Sequence, residues 1–143
     1  MAESGDREDD IMKHSEIDIK DLVFGIIKKS SISSSISGKV YKDKRPMNSK
    51  KEDMVISVLA SDSEQVQQFT VTANLYVQDV RRENEYVENT PRLRELCSIC
   101  SQELDRVARA DCLVRMDSQR IHETQTNEHC ISNRLNIRIH ETV

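Results

Sequence analysis

From Ser15 to Lys29 the apolar residues Ile19, Leu22, Val23, Ile26 and Ile27 recur three and four positions apart, the stripe of an amphipathic helix. Ser15 can cap its start, Asp18 and Asp21 suit the positive end of its dipole, and Lys28 and Lys29 suit the negative end. The period then changes. Ile32, Ser34, Ile36, Gly38 and Val40 mark every second position, which predicts a strand over 32–42, with a flexible linker as the alternative for its serine-rich first half. Pro46 and Asn48-Ser49 mark a loop over 43–52. In 53–60, Met54, Ile56 and Val58 face one way and Val55 and Leu59 the other, which predicts a central or doubly covered strand. After a turn at Ser61-Asp62-Ser63, residues 65–78 alternate cleanly: Phe69, Val71, Ala73, Leu75 and Val77 against Gln68, Thr70, Thr72, Asn74 and Tyr76. These two strands read as an antiparallel hairpin.

A charged connector over 79–89 leads to a second helix, with Thr90 at the cap and Pro91 at the first helical position. Leu93, Leu96, Cys97, Cys100, Leu104, Val107 and Ala108 line its apolar face. Residues 112–124 and 129–141 read as two further strands joined by a turn at 125–128. The pentapeptide RIHET occurs at Arg120–Thr124 and Arg138–Thr142, a single echo that makes no structural repeat. The order α-β-β-β-α-β-β predicts an α+β fold: a mostly antiparallel sheet of about five strands with two helices packed on one face. A chain of 143 residues is one domain on this reading, 15–143, preceded by an acidic flexible leader over 1–14.

Charge placement refines this picture. Glu3, Asp6, Glu8, Asp9 and Asp10 against Arg7 give residues 1–10 the whole net charge of −4, so the remaining chain is neutral. The strongest local imbalance is the segment KVYKDKRPMNSKK, where Lys39, Lys42, Lys44, Arg45, Lys50 and Lys51 oppose Asp43 alone. Such a run is either a solvated loop or a basic finger for an acidic or phosphate-bearing partner. The longest apolar stretch, Leu22–Ile27, is far short of the ~20 residues that cross a bilayer. The opening MAESGDREDD lacks the apolar core of a secretory signal, so a reducing compartment is expected. Three Tyr, two Phe and no Trp argue against nucleic-acid binding through stacked bases.

Candidate chemistry is sparse. The Cys97-x-x-Cys100 pair lies within a helical apolar pattern, where free cysteine acts as a small hydrophobe. Its partners Cys112 and Cys130 are too far apart for a standard zinc pattern, although His122 and His129 lie near Cys130. The histidines are expected at exposed strand or turn positions. No phosphate-binding glycine loop, nucleophile elbow or HExxH occurs, so no enzyme, cofactor or metal site is expected.

The stretch Gly38-Lys39-Val40-Tyr41-Lys42, the basic Arg45-Pro46-Met47-Asn48-Ser49-Lys50-Lys51, the acidic Glu52-Asp53 and the strand Met54-Val55-Ile56 resemble small tail-terminator or tail-completion proteins of tailed bacteriophages. The strand Thr70–Asp79 and the Pro-opened helix extend the resemblance over about residues 15–110; the acidic leader departs from it. What this resemblance implies is a non-enzymatic virion protein, assembled in the host bacterial cytoplasm. Such proteins form rings, often hexameric, that cap the tail tube and join it to the neck and head. On that expectation Lys39, Lys42, Lys44, Arg45, Lys50 and Lys51 contact the tube or neck. The strands at 65–78 and 129–141 pair across subunits, and Arg120, Arg134 and Arg138 face a lumen through which DNA passes. Three alternatives stand beside it: another neck or adaptor protein, a small cytoplasmic binding or regulatory module, and a metal- or thiol-dependent protein using Cys97 and Cys100.

Overall fold

Helix α1 (Glu16–Lys29) starts at a reciprocal cap, in which Ser15 Oγ accepts from the Asp18 amide at 3.1 Å and Asp18 Oδ2 from the Ser15 amide at 3.0 Å. Its stripe of Ile19, Val23, Ile26 and Ile27 is buried, each side chain contributing roughly 1.5–3 kcal/mol of apolar burial. The computed structural model describes residues 15–62 and 67–140. The acidic leader, Ser63 and the last three residues lie outside the described residues; Ser61 and Asp62, expected in a turn, instead continue the strand before it, opposite Phe69 and Gln68.

The serine run is not a strand. Residues Ser31–Ser35 form a short helix, α2. Ser30 ends one helix and begins the next: its hydroxyl donates to the Ile27 carbonyl at 2.6 Å and accepts from the Ile32 amide at 3.2 Å. Ser33 and Ser35 donate to the carbonyls of Lys28 and Ser31, so the hydroxyls satisfy the turn locally where a strand would need a neighbour. Ile32 and Ile36, four apart, both reach the core. What remains of the expected strand is β1 (Val40–Tyr41).

The main sheet has six strands in the order β1-β2-β3-β8-β7-β6. They are β1, β2 (Met54–Asp62), β3 (Gln68–Gln78), β8 (Glu128–Ile139), β7 (Cys112–Glu123) and β6 (Val107–Ala108). All neighbours are antiparallel except β1 and β2, which are parallel. The charged connector folds into a separate hairpin, β4 (Val80–Arg82) and β5 (Glu85–Val87). Its turn residues Glu83 and Asn84 take φ of 52° and 69°, the left-handed values that a tight hairpin turn requires. Helix α3 (Thr90–Leu104) is capped one residue earlier than expected. The Asn89 side chain accepts from the Arg92 amide at 3.3 Å, while the Thr90 hydroxyl donates to Glu88. The helix stops before Arg106, at φ 64°, so Val107 and Ala108 belong to β6 and not to the helical face.

The fold is therefore α+β, with the helices on the inner face of a curled, mostly antiparallel sheet. The core lies between them: Met54, Ile56, Phe69, Val71, Leu75, Val114, Ile131, Leu135 and Ile137 from the sheet, and Leu93, Leu96, Cys100 and Leu104 from α3. Two bulges drive the curl. One breaks the β2–β3 register between Val58 and Ala60, the other the β7–β8 register between Met116 and Ser118. Both flank the same cross-sheet level, Val58–Val71–Leu135–Met116, so the two outer strands bend at one latitude.

Two expectations about the strands are corrected. β3 and β8 are paired on both sides and cannot serve as edges. The open edges are β2 beyond Val55, where β1 stops, and β7 beyond Met116: β6 stops opposite Val114, and the Met116 amide donates to Asp105 Oδ1 at 3.1 Å. β2 is accordingly not a central strand.

Gly38 joins α2 to β1 at a close approach. Its amide donates to the Glu52 carbonyl at 3.0 Å, and the next amide, that of Lys39, donates to Asp53 Oδ1 at 3.2 Å. A methyl group at Gly38 would overlap both the Asp53 carboxylate and the Glu52 carbonyl. Gly38→Ala is expected to lower stability by about 1–3 kcal/mol in urea denaturation, whereas Gly25→Ala, with open space around it, does not.

Candidate functional site

The basic segment 39–51 folds over the outer face of the sheet where β2, β3 and β8 begin or end. One residue anchors it. The Arg45 guanidinium stacks 4.3 Å from the centre of the Tyr76 ring. Its Nε donates to Asp53 Oδ2 at 3.1 Å and one terminal nitrogen to both oxygens of Glu128 at 3.0 and 3.1 Å. The other terminal nitrogen donates to the carbonyls of Ser49 and Lys51. Every donor direction of the guanidinium fork is thus used within the fold, a set of contacts that a lysine cannot reproduce. Asp53 and Glu128 are themselves buried, and each has further donors: Ser49 Oγ on Asp53, Gln78 Nε2 and Thr126 Oγ1 on Glu128. Burial beneath this loop also holds the Tyr76 phenol above its usual pKa.

The remaining cations fall into two groups. Lys42 pairs with Asp21 at 3.0 Å, and the adjacent Asp43 pairs with Lys20 at 2.8 Å, so two ion pairs of opposite sense tie the loop to α1. The Lys20 ammonium holds the Asp43 carboxyl below its ordinary value. Lys39, Lys44, Lys50 and Lys51 are exposed and make no ion pair with a described residue. Of the six cations expected to meet a partner, four are therefore presented outward, Lys42 is partly compensated, and Arg45 is turned inward as the anchor. A shallow depression of about 320 Å³ lies between the loop and the β3–β8 end, lined by Arg45, Pro46, Met47, Asn48, Gln78 and Glu128. Met47 is 90% exposed at its rim.

A second ionic link ties the helices to this corner. Arg92 of α3 donates to both oxygens of Glu52 at 2.7 Å and to the Ser35 carbonyl at 2.5 Å. The guanidinium holds the Glu52 carboxyl below its usual pKa. Arg92 also pairs with Glu95 along its own helix.

The cysteines and histidines are dispersed. Cys100 is buried under α3, Cys112 at the start of β7 and Cys130 on β8, while Cys97 is half-buried. Burial pushes the thiols of Cys100 and Cys130 up to about 12 and that of Cys112 to about 11, far from the thiolate form used in metal binding and disulfide exchange. Among the described residues no three His, Cys, Asp or Glu side chains converge on one ion site. His122 and His140 are exposed; His129 departs from expectation, half-buried with Nδ1 2.6 Å from Asp79 Oδ1. Arg120, Arg134 and Arg138 all point from the outer face of the sheet into solvent. No described helix is long and apolar enough to cross a membrane.

No protein-family model matches the chain, and no curated protein matches it.

The two roles within the basic segment separate by mutation. Arg45→Ala leaves Asp53 and Glu128 buried without their shared cation and is expected to cost about 3–5 kcal/mol in urea denaturation. Replacing Lys44, Lys50 and Lys51 together by Gln is expected to change stability by less than about 0.5 kcal/mol per site.

Proposed function

We propose that this chain is a non-enzymatic structural subunit that closes into a ring of identical copies, and that the ring acts as a tail terminator, capping a phage tail tube and joining it to the neck. The observation that carries the reading is the pair of open sheet edges. β2 offers unpaired backbone from Ile56 onward, and β7 from Asp117 onward, past the Met116 amide that donates to Asp105 Oδ1 at 3.1 Å. The two strands run in opposite senses, so the β2 edge of one copy meets the β7 edge of the next as an antiparallel pair. Because the two edges belong to different strands, the contact is heterologous, the kind that generates rings when its rotation closes.

Each edge also carries a large apolar side chain in water: Leu59 on β2 is 52% exposed and Ile121 on β7 is 45% exposed. Exposed edges are ordinarily blunted, because they invite pairing. Here the bulges are the blunting device, restricting the match to a bent partner edge and disfavouring indefinite flat stacking. The outward lysines of the 39–51 loop then form a basic crown repeated around the ring, suited to an acidic rim on the tail tube or neck.

Leu59→Asp and Ile121→Asp each break one of the two edges. At high protein concentration, light scattering is expected to show rings for the unmodified chain and monomers for either variant. An equimolar mixture of the two variants is expected to give dimers and nothing larger, because each supplies one intact edge. Homodimers of either variant alone would contradict a heterologous contact.

A further inference from the structure

The outer face of the sheet carries an uncompensated row of arginines where β7 meets β8. In the β7–β8 register Leu113 lies opposite Arg138, Arg115 opposite Asn136, Ser118 opposite Arg134 and Arg120 opposite Ser132. Arginine thus alternates between the strands at four successive levels: Arg138, Arg115, Arg134, Arg120. All four are exposed, and none of their guanidinium groups makes an ion pair or hydrogen bond with a described residue. Successive levels are about 6.8 Å apart, so the row spans roughly 20 Å. Like charges at neighbouring cross-strand positions repel, so the row weakens the sheet.

The surroundings define the ligand chemistry. Thr70, Thr72 and Asn74 on β3 and Ser132 and Asn136 on β8 extend the same face with neutral hydrogen-bonding groups. Large apolar side chains are confined to its margins, at Leu113 and Val55, so the face lacks the central apolar anchor of a protein–protein interface. Of its aromatic rings, Tyr76 is covered by Arg45 and Tyr41 lies at the far β1 margin, so no run of bases can stack beside the arginines as on single-strand-binding surfaces.

We propose that this face binds the phosphate backbone of duplex DNA without reading sequence. Over roughly 20 Å one strand of the duplex presents about six phosphates, which matches four guanidinium forks with hydroxyl and amide groups beside them. The surface lies within one protomer and does not depend on ring closure; in a ring whose outer sheet face turns inward, it would line the path of the DNA. The row joins Arg115 to Arg120, Arg134 and Arg138, and it is distinct from the lysine loop.

The test is fluorescence anisotropy of a labelled duplex of about 20 base pairs, titrated with the full chain from about 50 mM salt upward. The expected result is weak binding whose log K falls against log salt with a slope of about −3.6, four contacts at about −0.9 each. The variant with Arg115, Arg120, Arg134 and Arg138 all replaced by Gln is expected to lose at least about tenfold in affinity and most of that slope, while melting at the same temperature or higher. The variant with Lys44, Lys50 and Lys51 replaced by Gln is expected to bind within about twofold of the unmodified chain. Absence of binding by the unmodified chain, equal binding by the four-arginine variant, or a loss confined to the lysine variant would each overturn the proposal. So would tighter binding of a polyglutamate of equal charge, which would assign the face to an acidic protein.

Discussion

Two extra residues, Leu59 in β2 and Asp117 in β7, set the shape on which everything else depends. A bulge sharpens the local twist and bends its strand. Placed in both outer strands at the same level, the two bulges wrap the sheet around α1 and α3 and let a chain with few aromatics enclose a core. They also determine what is left unpaired. Beyond the two-residue caps β1 and β6, the bent backbones of β2 and β7 face outward, and the Asp117 bulge brings Arg115 and Arg120 to the same side.

The second constraint is ionic. The loop that carries most of the basic charge is held by one arginine between two buried carboxylates, and the cost of burying those acids is offset by filling every donor direction of the guanidinium. With Arg45 committed, the loop backbone is positioned by Ser49 and Lys51 carbonyls on the same group, and Lys44 and Lys50 are left pointing outward. A charge run that reads as one patch is in fact an anchor plus a display.

Much of this is legible in the chain. The alternation in 68–78 and 131–139, the capped stripe of α1 and the Pro-opened α3 follow from periodicity because their side chains divide cleanly between core and water. The serine run misleads because Ile32 and Ile36 fit both periods, and hydroxyls that bond back to carbonyls decide for the helix. Edge status is not legible in the pattern, because it depends on which strands end up in the middle, and the best-patterned strands, β3 and β8, are the ones paired on both sides. Arg115 escapes strict alternation, which puts it opposite Arg120; only the bulge unites them. Arg45 looks like its lysine neighbours, and the one available hint was the acidic Glu52-Asp53 pair abutting an apolar strand.

The claim that the open edges build the assembly is tested most directly by amide hydrogen exchange, comparing dilute monomer with concentrated or tail-bound protein. Protection is expected to rise on assembly in β2 from Ile56 to Leu59 and in β7 from Asp117 to Glu123, with β3 and β8 already protected in the monomer. Assembly that protects α1 or the 39–51 loop while leaving both edge strands exchanging freely would contradict it.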